Sequence, residues 1–384
     1  MKSEWKTIRA ADFMEFNPRR NLKKGTIATK ISMDKLQPYT KKIPETEQVE
    51  FSGGTKFSNG DTIMARITPC LENGKTAFVD CLNKDEVAFG STEFIVLRAK
   101  PGVSDAQFVY YLATSPEFRQ VAIKSMVGSS GRQRVQQPVL ENLELVVPEL
   151  PEQKRIGEFL AAIDDKIALN AKINDNLSDL LQTIYQRQFG KVGLANNCGI
   201  LADICSYSKD KIEISKLGLD TYYSTENMLP EKSGAVKATS LPTTSQTTAC
   251  HKGDTLVSNI RPYFKKIVYC EDDCGCSTDV LCFKPVHPRY TGYLFSTLYA
   301  DSFFDFMVAG AKGTKMPRGD KQQIMTYPVV LPSEKDLSEF NSVATPILTQ
   351  IYSNRTESEK LSAIRDTLLP KLILGEIDVS SIQL

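Results

Sequence analysis

Between Pro151 and Phe189 the chain places Ile156, Ile163, Asn170, Leu177 and Ile184 at every seventh position. Phe159, Leu160, Ile167, Ile173, Leu180 and Leu181 fill the positions three and four further on. This is the seam of a coiled coil and predicts one long helix. The same register returns in Phe340, Ile347, Asn354, Leu361 and Leu368, each 184 residues after its counterpart. Both series carry Asn at the third of five positions. A polar residue on an apolar seam costs stability and is kept where it fixes partner and register. The two stretches therefore read as a matched pair of helices.

The segments between them repeat as well. FSNGDTIMARITPC at 57–70 aligns with CHKGDTLVSNIRPY at 250–263, sharing Gly-Asp-Thr and a proline, Pro69 and Pro262. Ser91-Thr92-Glu93 matches Ser277-Thr278-Asp279. The Gly/Ser-rich loop MVGSSGRQRVQQP, from Met126, corresponds to MVAGAKGTKMPRGDKQQ, from Met307. Both loops precede a β run ending at a proline, Pro148 and Pro332, and four blocks in one order predict a tandem repeat of about 185 residues. Short β-like runs (Thr62 to Ile67, Thr76 to Val79, Phe94 to Leu97, Leu143 to Val147) lie between turn residues, an α+β pattern. Ser104 is placed to cap a helix running to about Val121, with a break at Ser115. KVGLANNCG is a polar connector, and Pro346 is expected to kink or restart the second long helix.

Composition narrows the function. Lys and Arg number 47 against 46 Asp and Glu, so any nucleic-acid binding has to come from local clusters. Nine scattered cysteines fit a reducing compartment rather than a disulfide framework. The start of the chain lacks a signal peptide's apolar core, and no apolar run is long enough for a bilayer span, which predicts a cytoplasmic protein with no membrane contact.

Catalytic motifs are sparse. His251 and His287 are not set among carboxylates at metal-ligand spacing, and no Walker loop, Gly-x-Ser-x-Gly elbow or GxGxxG occurs. Asn17-Pro18-Arg19-Arg20 only faintly resembles an amino-methyltransferase tetrad and reads as a turn. Glu152-Gln153-Lys154 resembles a nuclease Glu-x-Lys, yet its acid suits the first turn of a helix better. Cys250, Cys270, Cys274 and Cys276 lack paired Cys-x-x-Cys spacing, so buried thiols are expected rather than a metal site.

The nucleic-acid reading rests on the two loops. Arg132, Gln133 and Arg134 lie in the first, and Lys312, Lys315 and Arg318 in the second. Arg and Gln make bidentate contacts to base edges and Lys suits phosphate. Arg66 and Arg261, near the matched prolines, are further candidates. A solvated basic loop is the bland alternative for either loop alone.

Taken together, Pro148-Glu149-Leu150-Pro151-Glu152-Gln153, Leu368-Leu369-Pro370-Lys371-Leu372 followed by Gly375-Glu376-Ile377, and the Gly-Asp-Thr strands resemble the specificity subunit of a Type I restriction-modification system. Phe16-Asn17-Pro18-Arg19 and Tyr222 to Pro230 also look like target-recognition sequence. The resemblance implies an α+β tandem pseudo-repeat of two globular target-recognition domains separated by an antiparallel coiled coil of two long helices. The expected segments are a first domain at 1–149, a central helix at 150–190, a second domain at 191–332 and a C-terminal helix at 333–384.

It further implies a non-catalytic subunit whose domains each read half of a split double-stranded DNA target. Methyltransferase subunits, two of them, and restriction helicase-nuclease subunits would be its partners. S-adenosylmethionine, ATP and Mg would sit only on those partners. A stand-alone diverged DNA methyltransferase or nuclease is the alternative. Pro332-Ser333-Glu334-Lys335 departs from the Glu-Gln helix start. The helix-pairing residues are expected to be Ile163, Asn170, Leu177, Ile347, Asn354 and Leu361. With the helices antiparallel, Asn170 is expected opposite Asn354.

Overall fold

In a computed structural model that describes residues 5–129, 131–190, 197–379 and 382, the chain divides into two compact units. The first comprises Met1–Asn170 and Glu357–Leu384, the second Ala171–Thr356. The boundary falls inside both long helices, Leu150–Phe189 and Glu334–Ile373. Residues 191–196 of the connector lie outside the described residues.

In the first unit, Lys6–Arg9 pairs antiparallel with Glu144–Val147. Met14–Phe16, Phe94–Ala99, Asp61–Ala65 and Thr76–Phe78 form an antiparallel sheet in that order. A second sheet runs Glu47–Glu50, Ile27–Ile31, Ala88–Gly90, Thr55–Phe57, with Ile27–Ile31 and Ala88–Gly90 parallel. Helices Ala106–Thr114 and Pro116–Lys124 pack on the first sheet through Phe108, Tyr111, Phe118 and Ala122. Their break is at Ser115, as the Ser-Pro step requires, but the cap is Asp105, whose carboxylate accepts from the Phe108 N–H at 3.0 Å. Ser104 is buried and donates instead to the Phe13 carbonyl at 2.8 Å.

The second unit repeats this plan. Cys198–Ile200 pairs with Pro328–Val330. An antiparallel sheet runs Cys205–Tyr207, Val280–Pro285, Thr255–Ser258, Ile267–Tyr269. In the other sheet, Tyr222–Tyr223 is parallel to Cys274–Cys276, which pairs antiparallel with Gln246–Cys250. That trio matches Ile27–Ile31, Ala88–Gly90 and Thr55–Phe57, but the fourth strand is added at opposite edges: Glu47–Glu50 beside Ile27–Ile31, Lys211–Glu213 beside Gln246–Cys250. The repeats thus share an interior and differ at one rim.

Gly-Asp-Thr has a structural reason. Gly60 and Gly253 take φ of +87° and +93°, open to glycine at little cost. Asp61 and Asp254 each accept, at 2.8 Å, the backbone N–H three residues back. The motif folds the entry to the first sheet's inner strand, and Arg98 closes on Asp61 at 2.7 and 2.5 Å.

The long helices pair antiparallel within each unit. In the first, Ile156, Leu160 and Ala161 share a core with Leu369, Leu372 and Ile373. In the second, Leu181, Tyr185 and Phe189 share one with Leu337, Phe340, Ala344, Ile347 and Ile351. Leu180 departs from the expected seam, being half exposed. The C-terminal helix does not restart at Pro346. Pro346 lies on the exposed face, so its missing N–H leaves a carbonyl facing water while the apolar stripe stays buried.

The helix starts differ. Gln153 is fully buried; its amide nitrogen donates to the carbonyls of Val103 and Pro148 at 3.1 and 2.9 Å, and its oxygen accepts from the Asp105 N–H at 3.0 Å. It staples the central helix to the first domain. The C-terminal helix opens instead on a capping box, Ser333 with Asp336. No helix of the described residues is long and apolar enough to cross a membrane.

Candidate nucleic-acid interface

The two basic loops are held by the same backbone frame. In the first unit Arg134 bridges to both Ile67 and Val127; in the second Arg318 bridges to both Ile260 and Lys312. Thr68 donates its N–H to the Gln133 carbonyl at 3.0 Å, as Arg261 does to the Pro317 carbonyl at 2.8 Å. Arg134 and Arg318 are therefore equivalent, whereas Lys312 is equivalent to Val127, a register the block alignment from Met126 and Met307 does not give. Met307 lies buried in the helix Asp301–Ala309.

Arg66 and Arg261 flank this frame from opposite sides. Counting from Ile67 and Ile260, Arg66 is equivalent to Asn259, and Thr68 to Arg261. The peptide bonding agrees: the N–H groups of Arg66 and Asn259 reach the carbonyls of Glu93 and Asp279 at 2.9 and 2.8 Å. These positions also share an oddity. Arg66 Nε, Thr68 Oγ1, Asn259 Oδ1 and Arg261 Nε are all buried without a hydrogen-bond partner among the described residues. Arg66 Nη2 does donate to the Val135 carbonyl at 3.2 Å.

The loop side chains sort into two kinds. Arg134 is gripped by Glu93, with Nε 3.0 and 2.9 Å from the two carboxylate oxygens and Nη2 at 2.6 Å. Its guanidinium holds the Glu93 carboxyl below the usual carboxylate range. Arg318 donates to Asp279 at 3.1 Å, and Lys312 pairs with Asp320 at 2.6 Å. Arg132 and Lys315 are exposed and form no ion pair among the described residues; Gln133 is half-buried. Beside the second loop, Tyr263 and Phe264 expose a tilted ring pair with centroids 4.7 Å apart. Glu93 and Asp279 are ion-pair partners that loop composition cannot reveal; the recurrence of Ser-Thr before an acid was the available signal.

The helix-pairing residues fall on buried or half-buried positions. Ile163 and Ile347 are buried, Leu177 and Leu361 half-buried. Asn170 donates to Glu357 at 2.7 Å and Ser358 at 3.2 Å. Asn354 donates to Asn174 at 2.8 Å and accepts from Gln350 at 2.7 Å. Each asparagine thus has polar partners within its own unit.

Other motifs have structural explanations. Glu152 is buried in the first helical turn and paired with Arg155. Asn17, at φ +48°, accepts from the Val96 N–H at 2.9 Å and donates to Gln137 at 2.7 Å. Cys250, Cys270, Cys274, Cys276 and Cys282 line one buried core with Met228 and Leu256. Among the described residues, no group of three His, Cys, Asp or Glu side chains is arranged to hold a metal ion.

Comparison with known proteins fits this frame. Residues 2–179 match the family described as the Type I restriction modification DNA specificity domain. The EcoAI specificity subunit of Escherichia coli is 38% identical over 104 residues, 27% of this chain. Over that part of its length the chain is similar to the Type I restriction-modification specificity family. The EcoEI specificity subunit of Escherichia coli is 36% identical over 108 residues, 28% of the chain. Each alignment spans 18% of the relative's own length. The solved S subunit of a Type-I restriction-modification system from M. genitalium superimposes with a TM-score of 0.55 at 17% identity, over 96% of both chains. That likeness is one of fold: the α+β tandem pseudo-repeat with paired long helices.

Proposed function

We propose that this chain is a DNA-recognition subunit of the Type I specificity family. Its globular domains, 1–149 and 191–332, each read one half of a bipartite double-stranded target. The helical segments, 150–190 and 333–384, act as spacer and as docking platform for two methyltransferase subunits, with restriction helicase-nuclease subunits joining for cleavage. The chain catalyses nothing itself, works in the cytoplasm, and leaves S-adenosylmethionine, ATP and Mg to its partners.

The observation that carries this reading is the recurrence, in both units, of one backbone frame presenting a basic loop: Arg132, Gln133 and Arg134 in the first, Lys312, Lys315 and Arg318 in the second. A reader of a split site needs two such surfaces. Asn170 and Asn354 set the helix register, and through it the half-site spacing.

The test is co-expression with a Type I methyltransferase subunit, followed by methylome sequencing of the host. A split methylated motif that depends on this chain is the expected result. Methylation or cleavage by the purified chain alone, abolished by Glu152→Gln, would instead favour the diverged enzyme.

A further inference from the structure

Arg134 and Arg318 are alike in more than position. Each meets a carboxylate from the equivalent turn, Glu93 or Asp279, which follows the same Ser-Thr pair. The grip in the first unit is side-on: both Glu93 oxygens lie on Nε, and one also takes Nη2. That leaves Nη1 and the outward hydrogen of Nη2, two parallel donors at the tip of the guanidinium. In the second unit the shorter Asp279 reaches only Nη2 of Arg318, so Nη1 stays uncommitted there too.

Charge decides what such a tip suits. An arginine already paired with a carboxylate is locally neutral and adds little attraction for phosphate. The same loops hold other cations for that, Arg132 and Lys315. Two fixed parallel N–H donors match O6 and N7 of guanine in the major groove. The arginines are also the more exposed partners, at 44% against 24% for Arg134 and Glu93 and 58% against 41% for Arg318 and Asp279. In each pair the guanidinium is thus the more accessible group.

Resting on the DNA-recognition reading above, we infer that Arg134 and Arg318 each read a guanine, one in each half-site, and that Glu93 and Asp279 are positioning residues that hold them for it. Both half-sites then contain a guanine at the repeat-related place, although the rest of the two sequences differs. Neither carboxylate touches DNA.

The full chain, co-expressed with its methyltransferase subunits, tests this. Arg134→Lys keeps the charge but cannot offer two parallel donors. It should lower discrimination roughly 5- to 150-fold at a single guanine of one half-site, leaving the other half-site intact. Arg318→Lys should do the same in the other half. Glu93→Gln frees a charge, so binding of the purified complex to random duplex should rise and its salt dependence should steepen by about one phosphate contact, while guanine discrimination falls. A purely structural ion pair would not move the salt slope.

Equal loss at every position, an unchanged motif, or relaxation at a base other than guanine would overturn the assignment. So would a split wild-type motif with a half-site lacking guanine. A wild-type complex that methylates no split motif would overturn the DNA-recognition reading and this assignment with it, and that failure is recognisable before any variant is made.

Discussion

Replacing Arg365 with Met strips the cation from a carboxylate that has almost no water to fall back on. Asp164, only 6% exposed, accepts from Arg365 Nη1 at 2.6 Å and from the Tyr111 hydroxyl at 2.6 Å. Burial, and then the neighbouring Asp164 charge, hold the Tyr111 phenol protonated far above its usual range, so it remains a donor at any working pH. Breaking a buried ion pair by removing one partner costs about 3 to 5 kcal/mol. With Tyr111 still donating, the low end applies, about 3 kcal/mol.

For a unit of about two hundred residues that lowers the melting temperature by roughly 6 to 12 °C. The readout is specific: Trp5 is the single tryptophan of the chain and packs against Gly375 within the first unit, so its fluorescence follows that unit. Asp164→Asn keeps an acceptor for Tyr111 and removes the charge. Adding it to Arg365→Met should therefore recover part of the loss, with a coupling of about 2 kcal/mol. Additivity within about 0.5 kcal/mol would show that the two groups do not depend on each other and would refute the reasoning.

Gln153→Leu leaves two carbonyls and one N–H without partners at the start of the central helix, and should cost about 3 kcal/mol in urea unfolding. Lys41 is buried over the rings of Phe78 and Tyr111, at 5.4 and 5.6 Å, and burial lowers its pKa. A lysine whose folded pKa is depressed destabilises the fold in full below that pKa, and the penalty fades as pH rises from it to the ordinary lysine value. Lys41→Met should thus raise stability at neutral pH, with a gain that shrinks in alkaline solution. Glu93 is the opposite case: Arg134 depresses its pKa, so the stability it contributes is present above the ordinary carboxylate pKa and lost as pH falls through the depressed value. Amide exchange of Val127 and Arg134, bonded to each other at 3.1 and 2.9 Å, should show the loop loosening in acid, and Glu93→Gln should reproduce this at neutral pH.

The long helices were legible because a seven-residue period is a local signal forty residues long. The tandem repeat was legible because Gly-Asp-Thr encodes a turn that needs those residues. What escaped was set by distance in the chain. Arg134 and Glu93 lie 41 residues apart, and nothing in either loop marks the other. Arg66 and Arg261 looked alike because both neighbour a matched proline, yet they lie on opposite sides of Ile67 and Ile260. Ser104 is as good a cap by type as Asp105, and only packing against Phe13 decides between them. Leu180 fits the heptad but faces solvent, since an α-helix of 3.6 residues per turn drifts off a strict 3.5-residue period.

The buried Asp164 and Arg365 pair was hidden by the repeat itself. Shifted by the 184-residue offset, Asp164 becomes Leu348 and Arg365 becomes Leu181, both buried in the second unit's core. At this position the first unit therefore adds charge and hydrogen bonds to its apolar helix contact, where the second has leucines beside the rings of Tyr185, Phe189, Tyr293 and Phe340. Two helices with the same seam could otherwise pair with copies of themselves as readily as with each other. Self-pairing of the central helix would set Asp164 against Leu181, and of the C-terminal helix Arg365 against Leu348. Each error buries an unpaired charge at a cost of several kcal/mol. A repeat symmetrical in its apolar spacing is thus made unambiguous by a buried charge pair that only one of its halves carries.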